Sequence, residues 1–210
     1  MEPPLAIAPS PTDRVLGTIG ILGGFVLLAA LIPGIPWTFV IFNLRLVLFE
    51  AGAIAIVVAV QGLLPARWRG PALLVSVPTI LANAWHMVMS IMFVGRPQPP
   101  EADPEFRPLY ALAATAMWLT NAAFGLVALR TGVVSRWASG VLTVGSILAT
   151  LGVGGLGFTQ GPYADLISNL TVAGVVMVGV GWVLFGIEIG FRPRRGRSGL
   201  VADAAGRTAR

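Results

Sequence analysis

From Trp37 to Leu64 the chain runs for 28 residues with only two charges, Arg45 and Glu50. A helix rises 1.5 Å per residue, so this run exceeds what a bilayer core of about 30 Å requires. It is predicted to cross tilted, or to begin outside the hydrocarbon. Five further apolar stretches, 15–32, 71–94, 109–129, 137–158 and 166–190, have comparable length. Inside lipid each backbone N–H and C=O must find its partner within the structure, which leaves helices as the solution for single apolar runs. The predicted fold is therefore all-α, a polytopic transmembrane bundle of six helices.

Composition agrees with that reading and removes several function classes. Only 11% of the residues are charged, against about a quarter in a soluble domain. The fourteen basic residues are all arginine, which points to coding bias, so the net charge of +5 does not argue for nucleic acid as a partner. With no cysteine and a single histidine, His86, the chain offers no disulfide, thiolate metal site or bis-histidine haem ligation. No cofactor or metal site is expected.

Arginine placement sets an orientation. Arg67 and Arg69 fall between the second and third runs, Arg130 and Arg136 between the fourth and fifth, and Arg192, Arg194, Arg195 and Arg197 after the sixth. The other side carries the acid-rich segment with Glu101, Asp103 and Glu105. By the positive-inside rule both termini are expected in the cytoplasm, across a bacterial inner membrane. The segment before the first run has two acids and one arginine and no small-residue cleavage pattern follows, so that run reads as an uncleaved helix. Residues 1–14 then form a cytoplasmic N-terminal segment and 15–190 the membrane domain. Residues 191–210 form an Arg-rich tail, expected to be disordered or to lie on anionic headgroups.

Two segments echo each other. GRPQPPEAD at 95–103 and GFTQGPYAD at 157–165 agree at five positions. Upstream, LVSVPTILA at 74–82 parallels VLTVGSILA at 141–149, and ARW at 66–68 parallels SRW at 135–137. A duplicated helical hairpin, spans two and three repeated as four and five, accounts for all three matches; convergent bilayer composition is the competing account. A two-helix unit keeps its orientation when copied, so the repeat would be parallel. In that alignment Glu50 stands opposite Thr120 and Asn121.

Ionisable groups at membrane depth are expensive and tend to mark function. Glu50 lies 14 residues before Leu64 and His86 15 residues after Pro71, so consecutive antiparallel helices bring them to one level, about 21 Å from the inner ends. A buried carboxylate needs a donor, and an imidazole supplies one. Asn83, His86 and Ser90 share a face of the third span, and Asn43 shares a face with Glu50. Arg45, five residues from Glu50, is turned away by about 140° and is expected to snorkel to headgroups or cap an outer vestibule. Two readings of Glu50 and His86 stand: a polar pin between two helices, or an outward-opening pocket that binds a small ligand or relays protons. In the second, Asn121 lines the floor and Asn169 sits near the rim, with Asp103 and Asp165 as weaker rim candidates.

Gly20 with Gly24, and Gly186 with Gly190, have the spacing of close helix packing. Trp37, Trp68 and Trp137 fall where interfacial anchors belong. The Met87, Met89 and Met92 group reads as adaptable packing.

The stretches TDRVLGTIGILGGFVLLAALIP and FNLRLVLFEAGAIAIVVA resemble the opening half of a family of small six-span bacterial integral membrane proteins of uncharacterised function. The resemblance implies fold and location; it carries no functional residue. The reading is a non-enzymatic structural or accessory membrane component, with the bilayer and a protein partner or second copy as its company. The alternative is a small transporter or ligand-binding sensor using the Glu50/His86 level. The absence of a second histidine, of cysteine and of a cytoplasmic acid cluster counts against a membrane enzyme.

Overall fold

The computed structural model describes residues 6–29, 39–94, 96, 103–154 and 164–195; the side chains of 6, 7, 39–43, 153, 154, 164, 194 and 195 lie outside that description. Six helices follow in chain order: α1 (Pro11–Ala29), α2 (Phe39–Leu63), α3 (Ala66–Met92), α4 (Arg107–Thr131), α5 (Arg136–Gly154) and α6 (Ala164–Gly190). Among the described residues five of them, all but α5, have a stretch long and apolar enough to cross a membrane. The all-α prediction and the six helices stand. Two two-residue strands, β1 (Ala6–Ile7) and β2 (Arg194–Arg195), pair antiparallel, so the two ends of the described chain meet at one end of the bundle. The tail is thus paired at its start; residues 196–210 lie outside the described residues.

Local chemistry explains the helix ends. Ser10 and Asp13 form a capping box: Ser10 Oγ accepts the Asp13 N–H at 3.1 Å, and the Asp13 carboxylate accepts the Ser10 N–H at 3.0 Å. Pro11 follows as the first helical residue, where a missing N–H costs nothing. At the end of α4, Gly132 takes the left-handed conformation (φ 65°) and donates its N–H to Ala128 at 3.0 Å, a closure that favours glycine. α3 begins at Ala66, five residues before the predicted start at Pro71. α3 passes through both Pro71 and Pro78, each at the loss of one backbone hydrogen bond, as membrane helices tolerate where neighbouring groups re-satisfy the freed carbonyl.

The helices form a ring in sequence order, closed by α1 against α6, with neighbours antiparallel. Between lipid-exposed helices apolar burial supplies no drive for association, so backbone approach and polar contacts must hold the ring. One side uses approach. A Cβ on Gly24 would fall 2.7 Å from the Gly179 carbonyl, one on Gly17 2.6 Å from that of Gly186, and one on Gly145 2.9 Å from that of Gly174. Gly20 faces Ile56 of α2 while Gly24 faces α6, so the predicted pair serves two different neighbours. The other side, α2 with α3 and α3 with α4, has no such glycine contact: Gly70, the single glycine of α3, meets no atom within 4 Å.

The centre is aromatic. Trp182 and Phe185 of α6 and Phe124 of α4 have ring centroids 5.7–6.0 Å apart, and Phe49 of α2 lies 5.9 Å from Trp118 of α4. The outside is apolar too. On α3 Leu74 is 79% exposed and Leu81 63%, while Ser76, Thr79, Asn83, His86 and Ser90 are buried. Apolar residues outward and polar residues inward is the arrangement of a helix in lipid rather than in water.

The matched stretches of the proposed repeat bury equivalent positions: Ser76, Thr79 and Ala82 on α3, Thr143, Ser146 and Ala149 on α5. The loops that carry the Gln/Pro/Asp echo lie largely outside the described residues, with Arg96, Asp103 and Asp165 inside them.

Candidate functional site

Along α3 the residues Ser76, Thr79, Asn83, His86 and Ser90 recur at alternating spacings of three and four, which places them on one face. That face looks into the seam between α2 and α4, and its first four residues make hydrogen bonds across it. Ser76 Oγ donates to Gln61 of α2 at 3.1 Å, and the Gln61 amide donates to the Arg69 carbonyl at 2.8 Å. Thr79 Oγ1 lies 2.7 Å from the Val75 carbonyl and 3.1 Å from the Thr120 carbonyl of α4. Asn83 Nδ2 donates to Asn121 Oδ1 of α4 at 3.0 Å and to the Thr79 carbonyl at 2.8 Å. One turn further, His86 Nδ1 and Glu50 Oε1 of α2 are hydrogen-bonded, both side chains buried.

The Glu50–His86 pair has an aromatic neighbour. The Tyr110 ring of α4 lies 4.8 Å from the imidazole, centroid to centroid, and packs with Met89 and Ala113. Beyond it Phe93 and Phe106 meet edge to face at 5.2 Å, and the Arg96 guanidinium stacks 4.6 Å from the Phe93 ring. This aromatic layer separates the pair from the end of the bundle that carries the α3–α4 connection.

The seam has bonding capacity left over. Glu50 Oε2, Asn83 Oδ1, Asn121 Nδ2 and Ser90 Oγ are buried and have no hydrogen-bond partner among the described residues. Leaving such groups unpaired costs about 1–3 kcal/mol each, more for an ionised one.

The structure brings Glu50, His86, Asn83 and Asn121 into one seam. Of the two expectations for Arg45, the snorkel to headgroups does not hold: the residue is buried, on the inward face of α2 with Phe49 and Ala53. Asn169 is not part of the seam. It is exposed on α6 in a stripe with Leu166, Val172 and Val176, and α6 stands across the ring from α3. The Asn43 side chain lies outside the described residues.

Three contributors to the seam escape a sequence reading centred on charge: Gln61, Thr79 and Tyr110. The three–four spacing upstream of Asn83 is a signal that finds Thr79. Glu188, near the end of α6, accepts the Ser135 N–H at 2.6 Å and pairs with Arg192 at 3.6 Å. It thus holds the start of α5 to the end of α6; its place inside an apolar run hides that role. No group of three or more acidic, histidine or cysteine side chains suited to a metal ion occurs among the described residues. Comparison with protein-family models, with curated proteins and with solved structures finds no match for this chain.

Proposed function

We propose that this chain is a multi-pass protein of a bacterial cytoplasmic membrane, with both termini cytoplasmic, acting as a non-enzymatic structural or accessory component. On this reading it belongs with the small six-span proteins its opening half resembles, and its α2–α3 and α4–α5 hairpins descend from one unit. The observation that carries the functional reading is the closure of the polar seam. Glu50 and His86 are hydrogen-bonded to each other, away from solvent, in a ladder that ties α3 to both neighbours where no glycine contact does so. Purification from the native membrane in mild detergent tests it: a stoichiometric partner protein or a defined homo-oligomer is expected. A monomer that binds a small solute with micromolar affinity, and loses it on Glu50→Gln with stability intact, would overturn it.

A second reading, a small transporter or ligand-binding sensor, draws on one specific feature. Glu50 Oε2, Asn83 Oδ1 and Asn121 Nδ2 retain bonding capacity deep in the seam. A solute or proton passing the Phe93–Phe106 layer would find acceptors and a donor there. Glu50→Gln and His86→Phe separate the readings. Loss of folding in both, with no separable loss of transport or binding, removes this one.

A further inference from the structure

Glycine within a helix costs stability relative to alanine, and in this bundle most helical glycines return it through close contact. On α5, Gly145 lies against Gly174 and Met177, and Gly152 against Thr171. Gly140 on the same helix is different: beyond the adjoining backbone of α5 itself, no described atom lies within 4 Å of where its Cβ would be. It belongs to a lateral groove of about 550 Å³ lined by Val141, Val144 and, from α6, Met177, with Arg136 and Trp137 at its head. Trp137 is 83% exposed at the first turn of α5, at the bundle end shared with the termini.

We propose that this groove is a phospholipid site. The phosphodiester is held by the Arg136 guanidinium, one acyl chain runs past Gly140 and Val144 against Met177, and Trp137 lies at the glycerol level. Three features select a phospholipid. The walls are apolar and face sideways from the bundle, where an acyl chain lies. The head carries a cation and no acid, which suits a phosphate ester. An exposed tryptophan marks the headgroup boundary. A second copy fits less well, since a two-fold parallel dimer through this face would bring Arg136 near its own symmetry mate.

The inference rests on the membrane placement above and is read separately from it. The full chain is purified in mild detergent, delipidated, and offered dioleoylphosphatidylglycerol, dioleoylglycerol or inorganic phosphate, with retained molecules counted by native mass spectrometry. The unaltered chain should retain one phosphatidylglycerol, and Arg136→Gln should weaken retention about fivefold, the value of one guanidinium at a headgroup. Gly140→Leu, whose side chain enters open space, should abolish retention without lowering the melting temperature. Dioleoylglycerol should be held about as weakly as phosphatidylglycerol by Arg136→Gln, and phosphate not at all. Undiminished phosphatidylglycerol retention in both variants, equal retention of dioleoylglycerol or phosphate, or a dimer split by Gly140→Leu would each overturn the site. A chain that stays monodisperse without detergent would overturn the membrane placement, and this inference with it.

Discussion

His86 on α3 and Glu50 on α2 join Nδ1 to Oε1 inside the bundle, with the Tyr110 ring of α4 against the imidazole. Each residue removes the other's main liability. Either group alone in the interior would be a buried polar group without a partner, whereas together they leave one carboxyl oxygen of Glu50 unpaired. Because the pair bridges two helices, its cost and its benefit both fall on the α2–α3 contact.

The Asn83–Asn121 contact should behave as an ordinary interhelical hydrogen bond in lipid. A double-mutant cycle with Asn83→Leu and Asn121→Leu is expected to give a coupling of about 0.6 kcal/mol, and no more than about 1.7. Each single change should cost more than that coupling, because it leaves the other amide buried and unpaired. Thermal or denaturant unfolding in detergent measures both quantities.

Glycines on the α1–α6 side should be intolerant in proportion to what they face. Gly24→Leu forces α1 from the Gly179 carbonyl and should cost about 3 kcal/mol or more. Gly62→Leu, where nothing lies within 4 Å, should change stability by less than about 0.5 kcal/mol. Equal effects at the two positions in an unfolding assay would contradict the close approach of α1 and α6.

Orientation can be read chemically because the chain has no cysteine of its own. Single cysteines introduced as Ala66→Cys and Glu105→Cys place thiols at exposed positions at opposite ends of the bundle. In intact spheroplasts a membrane-impermeant maleimide should label Glu105→Cys and reach Ala66→Cys only after permeabilisation. The reverse pattern would invert the proposed topology.

The helices were legible because a bilayer crossing demands both length and apolarity, and the runs supply them. The Glu50–His86 level followed from counting along two consecutive antiparallel helices, since 1.5 Å per residue converts spacing into depth. Rotation about a helix is harder to read when the sequence is apolar all round. Counting alone sends Arg45 to the headgroups or over an outer vestibule, although Phe49 and Ala53 mark its face of α2 as inward, and sets Asn169 near a pocket rim, although its face of α6 is the exposed one. Closure of the ring depends on Gly17 and Gly24 meeting Gly186 and Gly179 across most of the chain length, which local periodicity does not encode. Thr79 and Gln61 were hidden for another reason: an uncharged polar residue in an apolar run carries little signal until its partner is known.

The most direct test of the seam as a structural element is a stability cycle on Glu50 and His86. Glu50→Leu and His86→Leu are made singly and together, and unfolding free energies are measured in detergent or bicelles. Each single change should cost about 3–5 kcal/mol, because it strands a buried polar partner. The double variant, with no buried polar group left stranded, should recover most of that loss yet stay about 0.6–1.7 kcal/mol below the unaltered chain, the value of an interhelical polar contact in lipid. Singles that leave stability unchanged, or a double variant that loses the sum of the two, would contradict the account.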